Sequence, residues 1–485
     1  MTPTILKTKR GFMSTPIALA FYLFAPTFAM AGSNLNLDQF LEQVSSTHDG
    51  LKASKAISKA ATMRTDESKL LTRPRLTAQF QNTIDERPQI QPAFQGNRTI
   101  DQLYRIGIEE QTTFGLAAKL SYQFNYRQID GANPNFIPRN SFYLGTPVLE
   151  LSQQLLKNGF GSEITAQVEL GQAAAQATAF EQSFRSRMIL MDARAAYWRT
   201  AVAQQIVTAQ QGLLDRARKM SDWSNRRVNL QLADKADGIQ ADALVQVREL
   251  ELKNAIDELK NSARLLNSLR GEDSDQIAET LVGLDTEVAL PNLDTLKSST
   301  RDDVRQAQQI SKIASAQAKL GEEKNRSQLE VYGAYALNSL ESEANPGWSN
   351  SWSTRNPTTT VGVRFATPLD FSLAGKTKEA YASEGTAAES VYQRRLIDQR
   401  REAEELSFQI NSAHQRIAIL KQIEATQERK LKNERDRLFR GRSTTFQVLQ
   451  FEQDASLAQV NRIRTQGELM TLLARLELYK EGDLP

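Results

Sequence analysis

The chain holds 485 residues, with 60 Lys+Arg against 57 Asp+Glu, two histidines and no cysteine. That composition excludes a disulfide framework, thiolate ligands, thiolate catalysis and acylation on an N-terminal Cys, and a net charge of +3 gives no footing for nucleic acid. A mean hydropathy of −0.48, with 24% charged residues spread evenly, excludes a bundle of membrane-spanning helices, so any membrane crossing must be made by β-strands.

At the N-terminus Lys7, Lys9 and Arg10 precede an uncharged stretch that ends in Ala29-Met30-Ala31. This is the pattern of a secretory signal with cleavage after Ala31, which places the mature chain outside the cytoplasm. An uncleaved anchor helix is the rival reading, but Pro16 and Pro26 interrupt the run.

Beyond the signal, helical tracts alternate with two strand-like blocks. Residues 162–228 lack proline, and apolar residues from Phe184 to Met220 recur at the helical period of 3.6. A second tract, from Lys376 to Phe439, carries a heptad seam in which Ala403, Ile410 and Ile417 alternate with Leu406, Ala413 and Leu420, as in a coiled coil. Each tract is expected to be a rod of roughly 100 Å, too long for one globular core. Shorter helices are expected over Leu37–Leu71, Ile239–Arg270, Asp302–Asn325 and Val448–Lys480, two of them stacking to match one long rod.

The strand blocks run from about 75 to 151 and from 328 to 371. In the clearest strand Leu116, Ala118, Leu120, Tyr122, Phe124 and Tyr126 alternate with Ala117, Lys119, Ser121, Gln123 and Asn125, and Val361, Val363 and Phe365 alternate with Gly362 and Arg364. A sandwich strand also gives one apolar and one polar face; Lys119, Gln123, Asn125 and Arg364 together with the secretory signal favour a membrane barrel around a wet lumen. Pro/Gly/Asn-rich segments at 86–99, 128–139 and 339–357, the last with Trp348 and Trp352, read as exposed loops.

The halves resemble a tandem duplication, 32–271 and 301–485, joined by an equatorial linker at 272–300. Thr146-Pro147 and Thr367-Pro368 each close a strand block, and their separation along the chain is close to that between the helix turns at Gln231 and Gly441. One chain offers four to six membrane strands, and a bacterial barrel needs roughly eight or more. Three chains would supply about 12 or 18.

These features resemble the TolC-type outer-membrane efflux and secretion family across the mature chain. The carrying stretches are Arg73-Pro74, Leu151 to Gly161 (LSQQLLKNGFG), Arg301-Asp302-Asp303-Val304, Thr367-Pro368-Leu369, and Phe439 to Leu449 (FRGRSTTFQVL). The resemblance implies an α+β membrane protein: a homotrimer whose barrel, shared between protomers, sits in outer-membrane lipid above a coiled-coil tunnel in the periplasm. It also implies recruitment by an inner-membrane transporter and a periplasmic adaptor protein. Two departures stand out. An extra hairpin is expected from Leu103 to Glu110 and Leu116 to Tyr126 around Thr112-Thr113-Phe114-Gly115, and Gln447 and Gln450 stand where related tunnels carry acidic residues beyond the second turn, while Asp237 is retained in the first half.

Other features carry less. Ala374-Gly375-Lys376-Thr377 imitates a phosphate loop, but Asp370 occupies the required glycine position. His48 and His414 have no partner for a metal and read as solvated. Tyr197-Trp198 and Ala173-Ala174-Ala175 have helical spacing and read as packing residues. No nucleophile, metal or cofactor constellation emerges, so an enzyme is not expected. The expected function is a passive conduit of a tripartite efflux or type I secretion system, with a periplasmic coiled-coil adaptor as the competing class. The candidate gate or adaptor contact comprises Gln231, Asp237, Arg440, Gly441, Arg442, Gln447 and Gln450. Arg440 and Arg442, in a turn shared with Arg435 and Arg437, are expected to meet Asp237.

Overall fold

The computed structural model describes residues 34–284 and 289–480, so the expected signal segment and Ala31 lie outside the described residues. Two helices dominate: α3 (Ser162–Asn229, 68 residues) and α6 (Phe371–Phe439, 69 residues), each about 100 Å long at 1.5 Å per residue. Their first residues, Ser162 and Phe371, and their last, Asn229 and Phe439, are separated by almost the same length of chain. Shorter helices complete the shaft: α1 (Leu37–Thr47), α2 (Asp49–Arg64), α4 (Lys235–Leu269), α5 (Asp302–Lys324) and α7 (Thr445–Ala474). Nearer the sheet the columns lie in the order α2–α3–α5–α6; toward the far end the order is α4–α3–α7–α6. Short helices thus stack beside long ones, as expected from their lengths.

The helix ends follow from particular residues. At α3 the Asn158 carboxamide oxygen accepts the N–H groups of Glu163 (3.0 Å) and Ile164 (3.3 Å), while the Asn158 backbone N–H donates to Glu323 on α5 at 2.7 Å. Gly161 closes that corner at φ +81°, where a Cβ would stand 1.8 Å from the Thr113 carbonyl oxygen. Helix α6 begins at Phe371, ahead of the expected Lys376, because the Asp370 carboxylate caps the Leu373 N–H at 2.9 Å. Ala374-Gly375-Lys376-Thr377 therefore lies inside a helix, with no phosphate-loop geometry. The expected helix over 37–71 is interrupted: His48 at ψ 112° separates α1 from α2, and a 3₁₀ segment covers Glu67–Thr72. His48 is half-buried at that joint, a correction to its reading as solvated, whereas His414 is exposed.

The shaft has three apolar clusters. Around its middle Phe40, Val44, Leu190, Tyr197, Trp198, Leu266 and Met470 pack together. Buried Tyr197 places its Oη 2.7 Å from the carbonyl oxygens of Leu35 and Val282 and accepts the Val282 N–H at 3.1 Å. It thereby clamps the short parallel pair β1 (Asn34–Leu35) and β6 (Thr280–Leu281) to α3. The second cluster is the heptad seam: Ala403, Leu406, Ile410, Ala413 and Ile417 are buried against Leu469 and Leu472, with Leu420 half-buried. The third, near the far tip, joins Leu431, Leu438, Val448 and Ala455.

At the other end six long antiparallel strands form one sheet in the order β2 (Arg75–Asp85), β3 (Arg98–Gln111), β4 (Leu116–Asp130), β5 (Ser141–Gln154), β7 (Gln328–Leu337), β9 (Pro357–Ala366). The short β8 (Ser339–Glu341) continues along β5 beyond β7. Thr146-Pro147 lies within β5, well short of its end at Gln154, whereas Thr367-Pro368 follows β9, so the two dipeptides are not equivalent as expected. Pro147 falls between the stretches of β5 that pair with β7 and with β8, where a missing N–H costs least.

The register sorts the sheet into two faces. Leu76, Phe80, Tyr104, Ile106, Ile108, Leu120, Leu149, Leu151, Val331, Tyr335, Val361, Val363 and Phe365 share one face and are all exposed. Leu120 is 57% and Val361 78% accessible. An apolar surface running over six strands is far beyond the scattered exposure normal on a water-facing sheet. Among the described residues no helix is long and apolar enough to cross a membrane.

Candidate functional site

The opposite face of the sheet is polar, and its charges are matched across strands. Arg75 pairs with Glu109, Arg127 with Asp101 at 2.7 Å, Lys119 with Glu150 at 3.8 Å, and Arg364 with Glu330 at 3.2 Å. Arg105 donates to the Gln79 carboxamide at 3.2 Å. Solvated pairs of this kind contribute about 0–1 kcal/mol each, so their main consequence is electrostatic: four of these five cations are offset by an acid on the neighbouring strand. Period-two alternation placed Lys119 and Arg364 on this face, but their acidic partners depend on the register of other strands.

Where this face meets α2 and α3 it bounds a cavity of about 1550 Å³. The sheet contributes Arg75, Glu109, Lys119, Glu150, Glu330 and Arg364; the helices contribute Arg64, Ala174, Ala175 and Thr178. Small residues on α3 leave this space open. Of the alanine run read as packing, Ala173 is buried while Ala174 and Ala175 line the cavity.

On the apolar face, the 339–357 loop folds back over the sheet. Trp348 and Trp352 sit 4.4 and 5.6 Å from the Tyr122 ring, and the Tyr122 hydroxyl is 3.1 Å from Ser351 Oγ. Both indoles remain about half exposed, an aromatic patch beside the apolar band.

The seven candidate mouth residues gather at the far tip, where α3 and α6 both end and Trp223 meets Phe439 edge-on at 5.7 Å. The two turns share one hydrogen-bond pattern. Leu232 N–H reaches Arg227 O and Gln231 N–H reaches Val228 O; in the second half Arg442 N–H reaches Arg437 O and Gly441 N–H reaches Leu438 O. Such a cap requires a left-handed residue. Gly441 supplies it at φ +70°, while Gln231 adopts φ +58° at a steric cost of about 1–2 kcal/mol.

Arg440, Arg442, Gln447 and Gln450 are all exposed. Gln450 donates to Asp454 at 3.4 Å, and Asp237 is half-buried in the first turn of α4. Among the described residues of one chain no hydrogen bond or ion pair joins Asp237 to Arg440 or Arg442, so the expected contact is not made inside a protomer. The tip is held by other acids. Buried Glu452 on α7 receives Arg216 of α3 at 2.8 Å and also Arg435 of α6. Glu434 accepts Arg437 at 3.2 Å and Ser443 Oγ at 2.5 Å, and Asp242 accepts Ser221 Oγ at 2.5 Å. The arginines of the second turn thus divide, Arg435 and Arg437 paired inside the chain and Arg440 and Arg442 facing outward. The signal for Glu452 was its place on the stripe of Val448, Leu449 and Ala455, where a lone acid needs a partner.

No protein-family model matches the chain, and no curated protein does either. Solved structures do. The chain is similar to the outer-membrane channel OprN, with TM-score 0.64 and 14% identity over 91% of this chain and 89% of that one. It is similar to the outer membrane protein VceC from Vibrio cholerae (TM-score 0.63, 16% identity, 91% and 95% covered) and to the CmeC outer membrane channel of Campylobacter jejuni (TM-score 0.62, 11% identity, 91% and 85% covered). At such identities the likeness shows the fold: long helices joined to an antiparallel sheet, in the arrangement these channel proteins share.

Proposed function

We propose that this chain is a passive outer-membrane conduit, a homotrimer whose sheets join into one barrel in lipid while the helices form a tunnel in the periplasm. The observation that carries the reading is the two-faced sheet: an exposed apolar face across six strands, with a charge-paired polar face opening onto the helices. In lipid, backbone groups are satisfied only in helices or closed barrels. The shared fold with three outer-membrane proteins supports the same reading. The secretory signal at 1–31, cleaved after Ala31, would deliver the chain, and the halves 32–271 and 301–485 would each supply strands above and a hairpin below the linker at 272–300.

As a conduit it has no reaction to catalyse and needs no cofactor; energy and cargo choice come from an inner-membrane transporter joined through a periplasmic adaptor, in a tripartite efflux or type I secretion system. The tip with Gln231, Asp237, Arg440, Gly441, Arg442, Gln447 and Gln450 is the surface such a partner meets end-on. Arg440 and Arg442, exposed within one chain, are then free to reach Asp237 of a neighbouring copy and hold the mouth shut. The test is conductance in planar bilayers: Arg440→Ser with Arg442→Ser is expected to raise resting conductance, and an unchanged value removes the turn from gating. Fractionation separates the competing adaptor reading, since a conduit follows the outer membrane and an adaptor the inner.

A further inference from the structure

The β3–β4 hairpin is the feature the two halves do not share. The last residues of the two strand blocks, Gln154 and Ala366, keep nearly the same separation along the chain as the starts of α3 and α6. The first residues of the blocks, Arg75 and Gln328, stand much further apart. The first block is therefore the longer one, and the excess accommodates the hairpin Arg98–Asp130 and part of a loop. The hairpin is not an appendage. It is hydrogen-bonded into the wall on both sides, β3 to β2 along the whole of Arg75–Asp85 and β4 to β5 from Leu116 to Gln128. Its apolar residues Tyr104, Ile106, Ile108 and Leu120 continue the exposed face without a break.

The sheet ends at two bare edges, β2 and β9. They have 11 and 10 residues, run in opposite directions, and are the most exposed long strands of the sheet. Along the helices the same two flanks are bare. α2 and α4 stand at one end of the row with Ile57, Ile239, Val247 and Leu250 exposed; α6 stands at the other with Val391, Ile397, Phe408 and Ile419 exposed. One flank of the molecule, from strand to helix tip, is thus open to the opposite flank of an identical copy, the head-to-tail arrangement that closes into a ring.

We propose that β9 of each protomer pairs antiparallel with β2 of the next, so that all six long strands of each chain enter the barrel wall and three chains build an 18-stranded barrel. The copy number rests on the trimeric conduit proposed above. The widths support six strands. At a spacing of about 4.8 Å and a tilt near 40°, six strands span about 37 Å of perimeter per chain. Four helices side by side span about 32–40 Å. With the hairpin included, the wall each chain contributes is about as wide as its row of helices.

The absence of native cysteine gives a clean background for the test. Gln79→Cys on β2 together with Thr360→Cys on β9, treated in membranes with a flexible bis-maleimide, is expected to give a covalent trimer on denaturing gels, and either variant alone only monomer. Ile106→Cys on β3 and Val363→Cys on β9 are expected to react with a thiol probe dissolved in the lipid to within about twofold of each other. Labelling at Val363 with none at Ile106 overturns the proposal while leaving the conduit standing, because the hairpin then lies outside the wall. Cross-linking of the double variant that stops at monomer, with both apolar positions labelled, overturns the β9–β2 pairing. If neither position is labelled and the chain is not in the outer membrane, the conduit reading itself falls.

Discussion

Sheet and shaft place charge differently. On the sheet, cations face carboxylates across strands on a solvated surface: Lys119 and Glu150 are 35% and 46% exposed. The shaft has solvated pairs too, such as Arg199–Glu258, but it also encloses charges between helices. Arg187 on α3 and Asp302 on α5 are 5% and 8% exposed at 3.1 Å, and Ser183 also donates to Asp302 at 2.6 Å. The difference reflects what each region has to exclude. In the conduit proposed above, a wall around a wet passage would keep its ions hydrated and draw its stability from backbone ladders. A shaft of parallel rods can slide along its seam, and a buried pair fixes one register because any other leaves a charge unpaired.

The sharpest way to break this contrast is to remove one acid from each region. Asp302→Ala removes the buried carboxylate that Arg187 and Ser183 share and is expected to destabilise by about 3–5 kcal/mol. Glu150→Gln, which removes the solvated partner of Lys119, should cost no more than about 1 kcal/mol. Chemical unfolding of the detergent-extracted protein measures both, and equal costs would erase the distinction. Next in size is the contrast between faces of one strand. Leu120→Arg should cost about 2–4 kcal/mol in membrane assembly, while Gln123→Arg on the polar face should be nearly neutral; yields of assembled oligomer in outer-membrane fractions report the difference.

Within the shaft, Tyr197→Phe removes the hydroxyl that joins Leu35, Val282 and α3, at about 1–3 kcal/mol for the buried backbone groups it releases. Burial pushes the Tyr197 phenol up to about 12 from its ordinary 10. The folded state thus favours the protonated phenol, and this contribution is complete below pH 10 and lost as pH rises toward 12. A pH series of unfolding midpoints should show that loss in the parent and not in Tyr197→Phe. The smallest effect concerns the matched turns. Gln231→Gly is expected to stabilise by up to about 1 kcal/mol, and Gly441→Gln to destabilise by a similar amount, since both positions hold left-handed backbone.

The long rods were legible because period 3.6 and the heptad seam persist over dozens of residues, and burial of Ala403, Leu406, Ile410 and Ala413 follows from them. The two faces of β4 were legible for the same reason at period two. Breaks were not. His48 interrupts a helix through its backbone angle alone, and Asp370 moves the start of α6 through a cap that reads as loop sequence. Pro147 was assigned to a strand end on local grounds, though the change of partner that accommodates it lies in the other half of the chain, in β7 and β8. The tip shows the same limit. Its seven candidate residues come together at one end, but the pairing of Glu452 with Arg216 and Arg435 joins three helices, and no spacing along one helix reveals it.

Stepwise blockade of single channels tests the conduit most directly. Gln123→Cys and Leu120→Cys are placed separately in the cysteine-free chain, reconstituted in planar bilayers and exposed to an anionic methanethiosulfonate from the aqueous side. A conduit lined by the polar face gives discrete conductance steps on modification of Gln123→Cys and none with Leu120→Cys. Steps with Leu120→Cys alone, or no conductance from the assembled parent protein, would contradict it.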